Sequence, residues 1–331
     1  MNTIRVGLIG VGGMAQGHVG NLLKLPEVEL VGMADISEIS LDKTKAKHGK
    51  AIAGLPTFAD YRKMLNTQTP DAVVICTPHA LHFPQAMDCL DKGAHVLLEK
   101  PMVNTVPDAH TLLAKIAETG KVVGLGYQKH TQSIFRYIKE RIASGEFGAV
   151  QAVSALQQQG WAKGTVGTWR QDPALSGGGQ INDSGSHVLD VVLWATGLAP
   201  DKVSAFMDNR TTPVDINTAL TVQFVGGALG TITIAGDAAG WYEDITIWCE
   251  RGSFYVRNGS FQVQGTDGHL FTPEPADMPP GSDVDTNFIH AILGTEPIAA
   301  APGDGLRTIE MTEAAWQSAA SGGQLTNVTR A

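Results

Sequence analysis

Cysteine is scarce: the 331 residues hold only Cys76, Cys89 and Cys249, and no two form a CxxC pair. An odd, scattered set argues against a disulfide framework or a cysteine-rich zinc site and fits buried, reduced thiols. Apolar runs of membrane-spanning length are missing. The opening Met1-Asn2-Thr3-Ile4-Arg5 has no basic stretch leading into a long apolar one. Neither a membrane span nor a signal peptide is expected, which leaves a cytoplasmic location by default. Positive charge is in deficit, with 24 Lys and Arg against 33 Asp and Glu, a net charge of −9. Without a basic stripe, nucleic acid and anionic membrane surfaces are not expected partners. A bound phosphate would have to rest on backbone N–H groups. No HExxH or other fixed zinc spacing occurs, so no metal is expected, even though His79, His82, Asp183 and His187 supply suitable ligand types.

What is present suits a globular chain long enough for two domains, with 43% hydrophobic and 17% charged residues. Short β-branched runs at 4–9, 28–34, 71–76, 94–98 and 121–125 read as strands. Helical patterns at 41–47, 79–92 and 107–119 lie between them. Strands alternating with helices predict a parallel, doubly wound sheet covered on both faces, assigned to a first domain over residues 1–125. From 126 to 331 the pattern changes to α+β. One helix (132–143) precedes strands at 149–158, 202–209, 219–224, 228–235, 245–250 and 252–256. A helix over 181–195 interrupts this series, and helices at 286–293 and 305–320 follow it. Gly226-Gly227 between two alternating runs is a hairpin signal.

The first strand runs into Gly10-Val11-Gly12-Gly13-Met14-Ala15, a GxGxxA pattern between a strand and a helix. Gly10 permits the turn, Gly12 lets backbone approach a pyrophosphate, and Ala15 keeps the helix close to the strand. Asp35 closes the second strand about twenty residues on, where a carboxylate accepts from ribose hydroxyls and repels a 2′-phosphate. NAD is therefore expected over NADP. Asp35 also suits the cap of the next helix.

Glu99-Lys100-Pro101 ends the strand at 94–98, on the side where doubly wound sheets bind ligands. From position alone, Lys100 reads equally as an ammonium that steadies an alkoxide or as a surface partner of Glu99. Further on comes Gly177-Gly178-Gly179-Gln180-Ile181-Asn182-Asp183-Ser184-Gly185-Ser186-His187-Val188-Leu189-Asp190. Asp183 and His187 stand i, i+4, on one face of the expected helix, with Asp190 nearby. Such a pair suits a general base and its carboxylate, and equally a capping Asp and a packed His.

Together these pieces resemble the glucose–fructose oxidoreductase and inositol dehydrogenase (Gfo/Idh/MocA) family. The residues that carry the likeness are the Gly10–Ala15 pattern, Cys76-Thr77-Pro78 with His82, Glu99-Lys100-Pro101, Asp183 to His187 with Asp190, and the closing motifs Asn287-Phe288 and Asp304-Gly305-Leu306-Arg307. The resemblance implies a Rossmann domain followed by a large open, mostly antiparallel sheet that forms a homodimer or homotetramer interface. It implies NAD contacts from Gly10, Gly12, Gly13, Met14, Ala15, Asp35, Thr77, Pro78, His82, Glu99 and Lys100. It also implies oxidation of a sugar or cyclic polyol, with Lys100 orienting substrate and His187 as acid/base assisted by Asp183. Trp169 and Arg170 would line the substrate site, and Tyr127 and Trp161 would offer apolar faces to a sugar ring. An NAD-dependent glycosidase and a non-catalytic NAD sensor are the competing readings.

Overall fold

The computed structural model describes residues 3–330. It divides into two compact units, and the division is not a single cut. Unit 1 comprises the chain up to Val103 together with Pro107–Gln128 and Ser282–Gly303. Unit 2 comprises Asn104–Val106, Lys129–Gly281 and the chain from Asp304 onward.

In unit 1 the strands are β1 (Ile4–Ile9), β2 (Val28–Ala34), β3 (Thr57–Phe58), β4 (Ala72–Ile75), β5 (His95–Leu98) and β6 (Val123–Leu125). They form one sheet in the order β3-β2-β1-β4-β5-β6, and every pairing is parallel. This is the doubly wound Rossmann order, with the switch point between β1 and β4. Helices α1 (Ala15–Leu22), α2 (Glu38–His48), α3 (Tyr61–Gln68), α4 (His82–Asp91) and α5 (Val106–Thr119) connect the strands. The sequence pattern did not place β3 or α3, although Asp60 caps α3 by accepting from Arg62 N–H. Parallel strands buried on both faces need continuous apolar runs, and β4 is buried at all four positions. The returning segment Ser282–Gly303 contributes Phe288 and Ile289, on the helix Val284–Ile292, to the core that holds Val6, Leu8 and Val19. Ala300 carbonyl accepts from Leu125 N–H, extending the hydrogen bonding beside β6.

Unit 2 carries β7 (Val150–Gln158), β8 (Pro200–Asp208), β9 (Asn217–Phe224), β10 (Leu229–Ala235), β11 (Tyr242–Cys249), β12 (Gly252–Arg257), β13 (Ser260–Gln264), β14 (Leu270–Phe271) and β15 (Thr326–Asn327). They make a nine-stranded sheet in the order β14-β13-β12-β11-β7-β10-β9-β8-β15. Its pairings are antiparallel except for β7 with β10. Strands β13 to β15, five residues long at most, are too short for the sequence pattern to place.

The helices Ser133–Ala143, Ser186–Thr196 and Pro302–Ala320 supply Ile138, Leu189 and Met311 to the core that includes Val153, Ile232 and Phe254. Among the described residues the opposite face of the sheet has no such cover. Along β9, Ala219, Thr221 and Gln223 are exposed while Thr218, Leu220, Val222 and Phe224 are buried. This is the period-2 alternation of a sheet with one open face.

Candidate active site

In unit 1 the polar residues gather at the carboxyl ends of the strands. Gly10 follows β1 at φ 79°, and a Cβ there would lie 2.8 Å from the Cys76 carbonyl carbon, so only glycine fits. A Cβ at Gly12 or Gly13 would meet nothing within 4 Å. The turn therefore presents bare backbone to open space. Met14 precedes α1 without a side-chain cap, so no side chain competes with an anion for the helix N-terminus. Asp35 accepts from Val11 N–H at 2.8 Å with Oδ2 and from Ser37 N–H at 2.8 Å with Oδ1. Its carboxylate is fixed beside the glycine turn, and each oxygen keeps acceptor capacity for a ribose hydroxyl. These residues fit a dinucleotide without a 2′-phosphate.

Thr77 donates to Gln85 at 2.6 Å, and Pro78 opens the turn before α4. His82, expected as a cofactor contact, is fully buried. Its Nδ1 lies 2.8 Å from the Pro101 carbonyl and its Nε2 lies 3.0 Å from the Thr77 carbonyl. Burial, with a smaller contribution from nearby His79, lowers its pKa to about 4. His82 thus lies between the loop after β4 and the turn that carries Lys100, and its neutral ring donates to one of the two carbonyls. Glu99 accepts from the Lys100 N–H at 3.1 Å with Oε2 and bonds the His18 ring with Oε1. Lys100 is 8% exposed and Tyr127 is fully buried.

In unit 2 the expected helix over 181–195 begins only at Ser186. Asp183 and His187 are therefore not on one helical face. Gly177 adopts φ 70°, and a Cβ at Gly179 would lie 2.0 Å from the Asp215 carbonyl oxygen, so this stretch is packed as an irregular loop. Asp215 accounts for its path. Its carboxylate accepts from Gly179 N–H at 2.9 Å, Ile181 N–H at 2.9 Å and Trp316 Nε1–H at 3.1 Å. Burial raises the Asp215 pKa and those donors oppose the rise.

Asp183 Oδ2 accepts from Trp161 Nε1–H at 2.8 Å and Arg170 Nε–H at 2.9 Å. The structure thus joins three of the expected site residues, but through a polar contact. The Trp161 ring is buried with Val214 and Ile216, and the Arg170 guanidinium lies 4.5 Å from the centre of the Trp169 ring. The helix Ser186–Thr196 is apolar enough to be buried at every position but one, and the exception is His187. Asp190 turns elsewhere: its Oδ2 lies 2.8 Å from His130 Nε2, and the His130 ring stacks on Trp194.

Sequence reasoning missed Asp215, the His18 cluster, and the buried Lys129–Glu243 pair, whose Nζ and Oε2 are 2.5 Å apart. Glu243 stands beside Gln157 on neighbouring strands, and Gln157 and Ser184 exchange hydrogen bonds. The legible signal was Gln157 and Glu243 on inward-facing strand positions where apolar residues otherwise stand.

An NAD-type Rossmann unit joined to a sheet-based second unit defines the class, an oxidoreductase. Residues 4–127 match the family described as "Oxidoreductase family, NAD-binding Rossmann fold", and residues 135–255 match its "GFO/IDH/MocA C-terminal domain". The chain belongs to the Gfo/Idh/MocA family. One relative is the 4-carboxy-2-hydroxymuconate-6-semialdehyde dehydrogenase of a Sphingobium species, 30% identical over 45% of this chain and 46% of that enzyme. The chain thus matches only about half the length of that relative. The inositol 2-dehydrogenase of Rubrobacter xylanophilus is 27% identical over 76% of this chain and 71% of that enzyme. Levoglucosan dehydrogenase, solved with NADH, shares the fold over the whole of both chains at a TM-score of 0.87, with 19% identity.

Proposed function

We propose that the chain is an NAD-dependent dehydrogenase that oxidises a secondary hydroxyl of a sugar or cyclic polyol. The observation that carries the reading is His187, the one residue of an otherwise buried helix that keeps access to solvent, placed after a loop whose carboxylate is locked in position. His187 takes the hydroxyl proton. Asp183, held by Trp161 and Arg170, supports the imidazolium that results. Lys100 donates to the oxygen as negative charge develops on it. NAD, when bound, supplies the hydride acceptor. Gly10 to Ala15 receive its pyrophosphate and Asp35 its ribose. The names of the inositol 2-dehydrogenase and levoglucosan dehydrogenase relatives support the polyol class.

Incubation with NAD and a panel of polyols and sugars, read as NADH absorbance, tests the reading. NADH is expected with at least one of them. No NADH with any would favour a sensor, and sugar released from a glycoside without net NADH would favour a glycosidase.

The same reading makes the protein a homodimer or homotetramer through the open face of the unit 2 sheet. Leu229 and Trp248 are 59% and 40% exposed there and flank Ala152 in one cross-strand row. Trp248→Lys is expected to shift elution from a sizing column towards the monomer, and an unshifted oligomer would dismiss this face.

A further inference from the structure

Unit 1 contains a buried charged cluster that the hydride-transfer reading does not use. His18 lies on α1, one turn past the glycine loop, and is 5% exposed. Its Nδ1 is 2.7 Å from Asp285 Oδ1, and its Nε2 is 3.0 Å from Glu99 Oε1. Asn21, also on α1, donates to the other Asp285 oxygen at 3.0 Å. A neutral imidazole carries one N–H, whereas an imidazolium donates from both nitrogens. With a carboxylate oxygen at each nitrogen, the geometry calls for the charged ring. A buried charge persists only when it is paired and hydrogen-bonded, and here both conditions are met.

We infer that His18 is a positioning residue: it ties α1 and the helix Val284–Ile292 to Glu99, and through Glu99 it fixes the backbone that presents Lys100. The inference rests on the role of Lys100 proposed above. The link is short. Glu99 uses Oε1 for His18 and Oε2 for the Lys100 N–H, so one carboxylate is shared between the two. A Cβ at Gly126 would lie 2.9 Å from the Glu99 carboxyl, so the end of β6 closes over the same group. The arrangement gives the segment Ser282–Gly303 a chemical reason to return to unit 1, because it supplies Asp285.

The titratable groups facing the ring are Glu99, with Lys100 beside it, from the turn after β5; Asp285 from its helix; and Cys76 after β4, a thiol whose burial pushes its pKa up. Burial opposes the charge on His18. Cys76 and the hydrogen bonds to Asp285 and Glu99 outweigh burial and hold the pKa well above its ordinary value.

The test uses the full chain with His18→Gln and Asp285→Asn, each read three ways. First, the ring resonances of ¹³C-labelled histidine, with His18 identified by its loss in H18Q, are expected to show an imidazolium at neutral pH. In D285N the ring should titrate at lower pH, because an anion that favoured its charge is gone. Second, acetylation of Lys100 under limiting reagent, followed by mass spectrometry, is expected to run several-fold faster in both variants. Third, kcat is expected to fall by about tenfold or more while NADH affinity holds, the signature of misplacement rather than lost binding.

A neutral His18 in the parent protein overturns the inference. So does an unchanged Lys100 acetylation rate, or a loss of NADH affinity in proportion to kcat. If H18Q does not fold, D285N decides. If the parent makes no NADH with any polyol, the dehydrogenase reading falls, and the resonance and acetylation readouts still score His18 by themselves.

Discussion

Two segments of this protein present polar side chains on irregular backbone, and they do so by different physics. The turn after β5 in unit 1 is short, and the parallel sheet beneath it aims it. Its refinement comes from buried rings: His18 on Glu99 and His82 on the Pro101 carbonyl. The loop from Gly177 to Gly185 in unit 2 has no strand leading into it. One remote carboxylate, Asp215, collects its N–H groups, and Trp161 and Arg170 lock Asp183. A sheet end starts from a direction its strands already set, whereas a free loop takes its whole path from its anchor. Damage to the anchor should therefore be more disruptive in unit 2.

Four changes would break or sharpen that contrast. The largest effect is expected from His187→Ala, which should lower turnover by about 10²-fold or more while NADH binding persists. Unchanged steady-state turnover would remove His187 from the reaction. Asp215→Ala comes next. It strands two backbone N–H groups and an indole N–H in a buried site, at a cost of about 4 kcal/mol measured by chemical denaturation. NADH binding by unit 1 should survive, and a smaller loss would mean that the loop holds its own shape.

The third is a pH effect from His82. Its pKa of about 4 in the folded chain lies below the ordinary 6.5. Between those values the unfolded chain takes up the proton and the folded chain does not. Stability should therefore fall as pH drops from about 6.5 to about 4, by about 3 kcal/mol in total. Melting curves of the parent should steepen in this range relative to His82→Gln, and parallel curves would show that His82 contributes nothing to the acid limb. The smallest effect is expected from Trp161→Phe, which keeps the ring packed on Val214 and Ile216 but removes a hydrogen bond to a carboxylate. A loss of about 1.5 kcal/mol in stability, with reduced turnover, is expected. No change would show that the indole N–H does not hold Asp183.

Much of unit 1 was legible because its signals are local. The glycine spacing, the buried runs of β1, β2, β4 and β5, and Asp35 at the end of β2 each follow from residues near in sequence. The three-glycine run lies in the second loop, where Gly177 takes φ 70°. What the pattern overextended was the helix: Ile181 and Asn182 look helical, but Gly179 N–H and Ile181 N–H bond Asp215 instead. Trp161 and Tyr127 could be read as sugar-facing rings because an aromatic side chain announces apolar contact without saying which surface it meets. Trp161 meets a carboxylate and a small core, and Tyr127 is fully buried.

The sequence by itself determined the alternation of strand and helix, the dinucleotide turn, and the carboxylate that closes the second strand, since these depend on neighbours within a few residues. The tertiary structure alone decided which carboxylate holds which donor. Asp285 reaches His18 across 267 positions and Asp215 reaches Gly179 across 36. Hydrogen bonds act over about 3 Å of space and carry no record of distance along the chain.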